Sequence, residues 1–313
     1  MKTRLSPHVL VPALVSALVS ALLASLLVGV TAAPSQAAGP KDDFPRLPRQ
    51  CATPQEKIPS KPVICPINDY SSARPTIVLW GDSHAWMFIP ALKRAVQGRN
   101  VNLVALVMGS CPPMDNHARA NDKVPTCFKN NALAVATVKQ LAKTGQDFRV
   151  VLSGSWQRYR RAVRAGDRTS YVGQMGHAMR KGTPRLVRTL RSIGADVDVI
   201  GQVATVPRRR GTCAQGNQPY ACQLPKYRAI PAQSRTRTWV RTTFKPLLQG
   251  REPINVNPDI CTAKVCLGKV DGVRTWFDDF HLSRTRSRLM APHFAATVDA
   301  LAPRRAIPRG LTR

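Results

Sequence analysis

Apolar residues in this chain come in short dense bursts separated by longer stretches with a helical period. The first burst, TIVLWG at 76–81, shows no polar alternation, as expected of a strand covered on both faces. It ends on GDSH at 81–84. AWMFIPALKRAVQG at 85–98 follows and reads as a helix, with Pro90 tolerated near its start. VNLVALVMG (101–109) is a second strand, and NNALAVATVKQLAKTG (130–145) a helix with a glycine stop. FRVVLSGSW (148–156) is a third strand, GHAMRKGTPRLVRTLRSIG (176–194) holds a helix, and DVDVIGQVATV (196–206) is a fourth strand. SRTRTWVRTTFKPLLQG (234–250) reads as a helix, PINVNP (253–258) as a short fifth strand, and LSRTRSRLMAPHFAATVDALA (282–302) as a closing helix.

Strand and helix alternating in this way predict an α/β fold, with a parallel sheet and helices on both faces. The folded domain is placed at 76–302. A Pro-rich lead-in covers 38–75, and a basic tail covers 303–313. At the N-terminus, Lys2 and Arg4 precede an uncharged run from Val9 to Val30, and TAAPSQAAGP offers small residues for cleavage after Ala37. Residues 1–37 are therefore an export signal or, given the length of the run, an uncleaved membrane anchor. Either way the domain is expected outside the cytoplasm.

Charge adds a second theme. Lys and Arg number 47 against 17 Asp and Glu, a formal net charge of +30. Such a surface implies an anionic neighbour: phosphate-bearing or acidic wall polymers, anionic lipid, or nucleic acid. Nucleic acid is disfavoured, because no helix-turn-helix, zinc finger or aromatic RNA-binding pattern is present. Charge bears on association and solubility, and a merely solvated arginine surface stays open beside the binding reading. The eight cysteines fall in four near pairs: Cys51 with Cys65, Cys111 with Cys127, Cys213 with Cys222, and Cys261 with Cys266. In an exported chain these read as four local disulfides. Zinc is disfavoured because no C-x-x-C pair occurs, so no metal and no cofactor are expected.

The chemistry is expected where open parallel sheets bind ligands, beyond the carboxyl ends of the strands. GDSH sits at such an end, immediately before a helix. Ser83 is then either a nucleophile or, like Asp82, only a helix cap. A nucleophile needs a base, and the base an orienting acid. Of the six histidines, His8 lies in the export segment, while His117 and His177 lack a nearby acid. His84 adjoins Ser83, and its ring is expected to point elsewhere. His293 falls in the closing helix, partly buried. His281 stands apart in WFDDFHLS: Asp278, three residues earlier, can turn back within one loop to bind Nδ1, leaving Nε2 for Ser83.

GDSH after the first strand, with DDFH near the C-terminus, resembles the SGNH/GDSL hydrolase superfamily. More narrowly, the chain resembles the extracytoplasmic SGNH domains of bacterial cell-surface O-acyltransferases. SCPP at 110–113 followed by Cys127, VVLSGSW at 150–156, and CTAKVC just before DDFHLS add to the likeness, which spans roughly 75 to 302. The resemblance implies a flavodoxin-like three-layer fold with a mostly parallel five-stranded sheet. It implies Ser83 as nucleophile, His281 as base then acid, and Asp278 as orienter. It implies an oxyanion hole from the Ser83 N–H, Gly109 (or Ser110, if the loop shifts by one) and a third donor where the family carries Asn. Here Trp156 stands in that place, as a replacement donor, a wall for the acyl chain or a core filler. The implied activity is a secreted serine-dependent O-acyl transferase or esterase, with acetyl the first acyl group expected, acting on cell-envelope glycans through an acyl-serine. Its implied partners are an anionic or acylated wall polysaccharide and, since the sequence shows no multi-span region, a separate membrane acyl donor. The arginines of WQRYRRAVRAGDR (156–168) and of 206–228 would hold an acidic acceptor. A non-catalytic module of the same fold, docking on anionic polymer, is the alternative.

Overall fold

A computed structural model describes residues 42–51, 59, 63–115, 125–205, 224–225 and 231–301. Residues 1–37, expected to direct export, the tail 303–313, His8, His117, Cys213, Cys222 and nearly all of 206–228 lie outside the described residues.

The central sheet has five strands in the order β1-β3-β2-β4-β5. These are β1 Val63–Pro66, β2 Thr76–Gly81, β3 Asn102–Val107, β4 Phe148–Ser153 and β5 Asp196–Val199. Strands β2 to β5 run parallel and β1 runs antiparallel at the edge beside β3. Each residue of β2 is buried, but successive side chains enter different cores: Ile77 and Leu79 one, Val78 and Trp80 the other. Two-sided burial is why the strand reads as a continuous apolar run.

Three sequence expectations are corrected here. The fifth strand is β1, drawn from the lead-in. Residues 253–258 contribute only a parallel bridge from Ile254 to Ile200. A boundary at 76 therefore cuts off an edge strand, together with Phe44, which is buried in the core. The helix expected over 85–98 is two: α1 Ser83–Trp86 and α2 Ile89–Ala95. Pro90 has no N–H to give to the preceding turn, so the helix must restart. Pro292 acts alike near the C-terminus, where a single helix over 282–302 is divided into pieces that include Arg284–Leu289 and Ala295–Asp299.

The remaining helices are α3 Pro125–Lys143, α4 Trp156–Arg164, α5 Tyr171–Ser192, α6 Pro231–Phe244, α7 Arg284–Leu289 and α8 Ala295–Asp299. Side chains of α3 to α6 fill one face of the sheet, and those of α1, α2, α7 and α8 the other. Disulfides join Cys51 to Cys65, Cys111 to Cys127 and Cys261 to Cys266, as proximity suggested.

Candidate active site

The parallel strands end together, and the loops after β2, β3 and β4 meet at that rim. Gly81 is required there: a Cβ on it would lie 1.8 Å from the Ser153 carbonyl oxygen. Only glycine lets β2 and β4 approach so closely as the chain turns into α1.

Asp82 caps α1, its Oδ1 accepting the His84 N–H at 2.7 Å. Its other oxygen accepts the Ser155 N–H at 2.9 Å and the Tyr159 hydroxyl at 2.8 Å. Asp82 is thus a cap, as the modest reading held, and also a tie from β2 to α4. It is fully buried, and burial raises its pKa despite the opposing pull of Ser155, His84 and Tyr159. Burial, then the neighbouring Asp82, pushes the Tyr159 hydroxyl well above its usual pKa, so Tyr159 donates.

Ser83 opens α1, and its Oγ lies 2.8 Å from Nε2 of His281. The other ring nitrogen, Nδ1, is 2.7 Å from Oδ2 of Asp278. A carboxylate there requires the proton on Nδ1, which leaves Nε2 as acceptor for the serine hydroxyl. The Asp278 loop is locked by its own backbone: Oδ1 accepts the N–H groups of Phe280 at 2.8 Å and His281 at 2.7 Å. Burial works against the Asp278 charge, but the His281 ring and these two N–H groups overcome it and hold the pKa below the usual carboxylate value. Phe277 stacks on the His281 ring at 5.7 Å, while Trp86 meets it edge-on at 6.0 Å. Ser83 and His281 keep 8% and 7% of their surface exposed, so the pair is enclosed yet open at one side.

Other expected positions fare differently. The Gly109 N–H is committed to the Pro59 carbonyl at 2.7 Å, so Gly109 is corrected as an oxyanion donor. Ser110 holds a left-handed φ of 59°, costly for a residue with a Cβ, and its N–H makes no hydrogen bond among the described residues. Trp156 is corrected as well. Its indole N–H donates to the Ile200 carbonyl at 2.9 Å, and the ring is wholly buried beside Trp239 and Phe244, as a core filler. His84 does not point away: its ring centroid is 5.5 Å from that of His281. Burial, then the His281 charge, lowers its pKa to about 3, so it stays neutral beside the His281 ring. His293 is partly buried as expected, with Nε2 2.9 Å from Asp259. Within 156–168, Arg158 reaches the rim: it is exposed and donates to Ser110 Oγ at 3.1 Å. The described residues contain no cluster of three or more His, Cys, Asp or Glu that could hold a metal ion.

Comparison with known proteins bears on this arrangement. A model of the SGNH domain, in the form fused to AT3 domains, matches residues 50–296. The chain belongs to the SGNH domain family. Among solved structures, this SGNH domain is similar to a Salmonella ser. Paratyphi A lipopolysaccharide acetyltransferase periplasmic domain. That match has 14% identity and a TM-score of 0.54, over 73% of this chain and 85% of that one. A protein from Agrobacterium tumefaciens str. C58 assigned as an arylesterase matches at 15% identity and a TM-score of 0.41, over 72% of this chain and 99% of that one. No curated protein matches the chain in sequence. At 14% identity the likeness to the Salmonella domain is one of fold, and the SGNH architecture expected from GDSH and DDFH is present.

Proposed function

We propose that this SGNH domain is an extracytoplasmic serine enzyme that moves O-acyl groups, acetyl first among them, onto or off cell-envelope glycans. One observation carries the proposal: Ser83 Oγ, His281 and Asp278 are in hydrogen-bond sequence at 2.8 and 2.7 Å, though serine and histidine are 198 positions apart. Such a relay activates a hydroxyl for attack on an acyl carbon.

In the proposed reaction His281 Nε2 takes the Ser83 proton as Oγ bonds to the carbonyl carbon. The charge arising on the carbonyl oxygen is held by the Ser83 N–H and, in place of Gly109, by the Ser110 N–H. Asp278 stabilises the imidazolium, which then protonates the departing alkoxide. The acyl-Ser83 ester is next attacked by a sugar hydroxyl or water, with His281 again taking the proton and returning it to Ser83. Arg158, exposed at the rim beside Ser110, would hold an acidic acceptor. The occurrence of the family fused to AT3 domains supports a membrane acyl donor working with this domain. The three disulfides among the described residues support an oxidising, extracytoplasmic setting.

The test is turnover of a chromogenic acetyl ester, with and without oligosaccharide acceptors, followed by mass spectrometry for acetyl on Ser83 and on sugar. Ser83→Ala should lower kcat/KM by at least roughly 10³-fold with folding unchanged. Undiminished turnover in that variant would end the proposal.

A further inference from the structure

Away from the triad, a cavity of about 820 Å³ opens between α2, α7, residues 46–50 and the turn after β1. Among the described residues six cations line it: Arg46, Lys93, Arg94, Arg99, Arg284 and Arg288. Asp69 is the single carboxylate among the described lining residues. Helix geometry sets this arrangement. Arg284 and Arg288 are one turn apart on α7, and Lys93 and Arg94 project from α2, which packs against it. All six are exposed. Arg99 pairs with Asp299, Arg94 donates to Gln97, and Arg46 lies over the Phe44 ring at 4.9 Å. The side chains of Lys93, Arg284 and Arg288 form no ion pair among the described residues.

Like charges gathered in one recess repel one another, and the fold alone gives no reason to collect them there. We infer that this cavity is a docking groove for a strand of anionic glycan carrying phosphate or carboxylate groups. Guanidinium forks suit both anions. The Gln50 and Gln97 amides suit sugar hydroxyls, and Pro48 and Pro90 offer apolar faces to the rings. Among the described lining residues none is aromatic, so they offer no stacking platform of the kind single-strand nucleic-acid sites use. A concave recess also suits a narrow strand better than a flat bilayer. The choice of a glycan rests on the proposed function; the presence of an anion site does not. Arg284 follows the base His281 by three residues, so a strand held here lies beside the helix that leaves the catalytic loop.

The test uses the full chain and two variants, each losing four positive charges. The groove variant combines Lys93→Gln, Arg94→Gln, Arg284→Gln and Arg288→Gln. The control combines Lys139→Gln, Arg180→Gln, Lys181→Gln and Arg188→Gln, exposed positions on α3 and α5. Binding is measured at about 100 mM salt to poly(glycerol phosphate), polygalacturonate, neutral dextran, single-stranded DNA and vesicles rich in phosphatidylglycerol. The vesicle arm matters because a smaller apolar groove with exposed Leu289 adjoins the cations. The groove variant should bind the two anionic glycans at least roughly tenfold more weakly, with the control within about threefold of wild type. Equal losses in both variants, no loss in the groove variant, or a loss confined to DNA or vesicles would overturn the inference. Small-ester turnover, measured in parallel, should be unchanged in both variants. A wild-type protein inert toward esters but showing groove-dependent glycan binding sinks only the catalytic proposal. Ester turnover with glycan binding indifferent to the groove sinks only this one.

Discussion

Replacing Tyr159 by Phe takes one oxygen out of the interior and leaves the ring in place. Tyr159 is wholly buried, so no water replaces its hydroxyl beside Asp82 Oδ2, 2.8 Å away. A hydrogen bond to a charged acceptor contributes about 1.5–3 kcal/mol. For a chain of this size that corresponds to a fall of roughly 3–10 °C in melting temperature. The pH dependence separates this bond from lost packing. Burial lifts the folded pKa of Asp82 above its unfolded value, so its contribution is fully present below the unfolded pKa and lost as pH rises through the folded one. Tyr159 opposes that lift, and removing it pushes the Asp82 pKa further up. The extra loss in Tyr159→Phe should therefore be largest near neutral pH and shrink toward about pH 4, where carboxylates gain protons. Thermal unfolding of both proteins across that range measures it. An unchanged melting temperature at neutral pH, or an equal deficit at every pH, would refute the role given to Asp82.

Asp278→Asn should cut ester turnover by roughly 10³–10⁴-fold, because an amide no longer holds the His281 proton on Nδ1. The folded Asp278 pKa is depressed, so its contribution is present above the unfolded value and lost as pH falls through the lower folded one. Wild type should accordingly lose stability below about pH 4 by a component that Asp278→Asn lacks, as seen by denaturant titration at a series of pH values. Trp156→Phe removes the bond to Ile200 but no oxyanion donor. It should cost about 1–2 kcal/mol of stability and leave kcat/KM within a few-fold of wild type. A hundredfold loss of rate in folded Trp156→Phe would restore the indole to the oxyanion hole. Replacing Cys111 and Cys127 together by Ala opens a link across 16 positions, which should lower unfolding free energy by about 3 kcal/mol.

Much of the fold is legible along the chain because its signals are local. β2 and β3 are buried on both faces, so their apolar runs mark parallel strands without any knowledge of their neighbours. Asp278 and His281 are three residues apart, close enough for one loop to fix their bond. The three described disulfides join near neighbours. Strand β1 was hidden because VICP is only four residues, next to prolines, and becomes a strand by pairing with β3.

The candidate site divides in the same way. Residue types and their order singled out Ser83, Asp278 and His281 as candidates, and folding brings their side chains together. The tertiary structure decided which donors around them are available. Gly109 gives its N–H to Pro59, Trp156 gives its indole N–H to Ile200, and Tyr159 reaches Asp82 across 77 positions. His84 comes to lie beside His281 because the short helix turns its ring into the core. Periodicity reports which residues are buried and what lies next to them in the chain. The direction of a hydrogen bond depends on a partner brought in by folding, and that partner leaves no mark on local sequence.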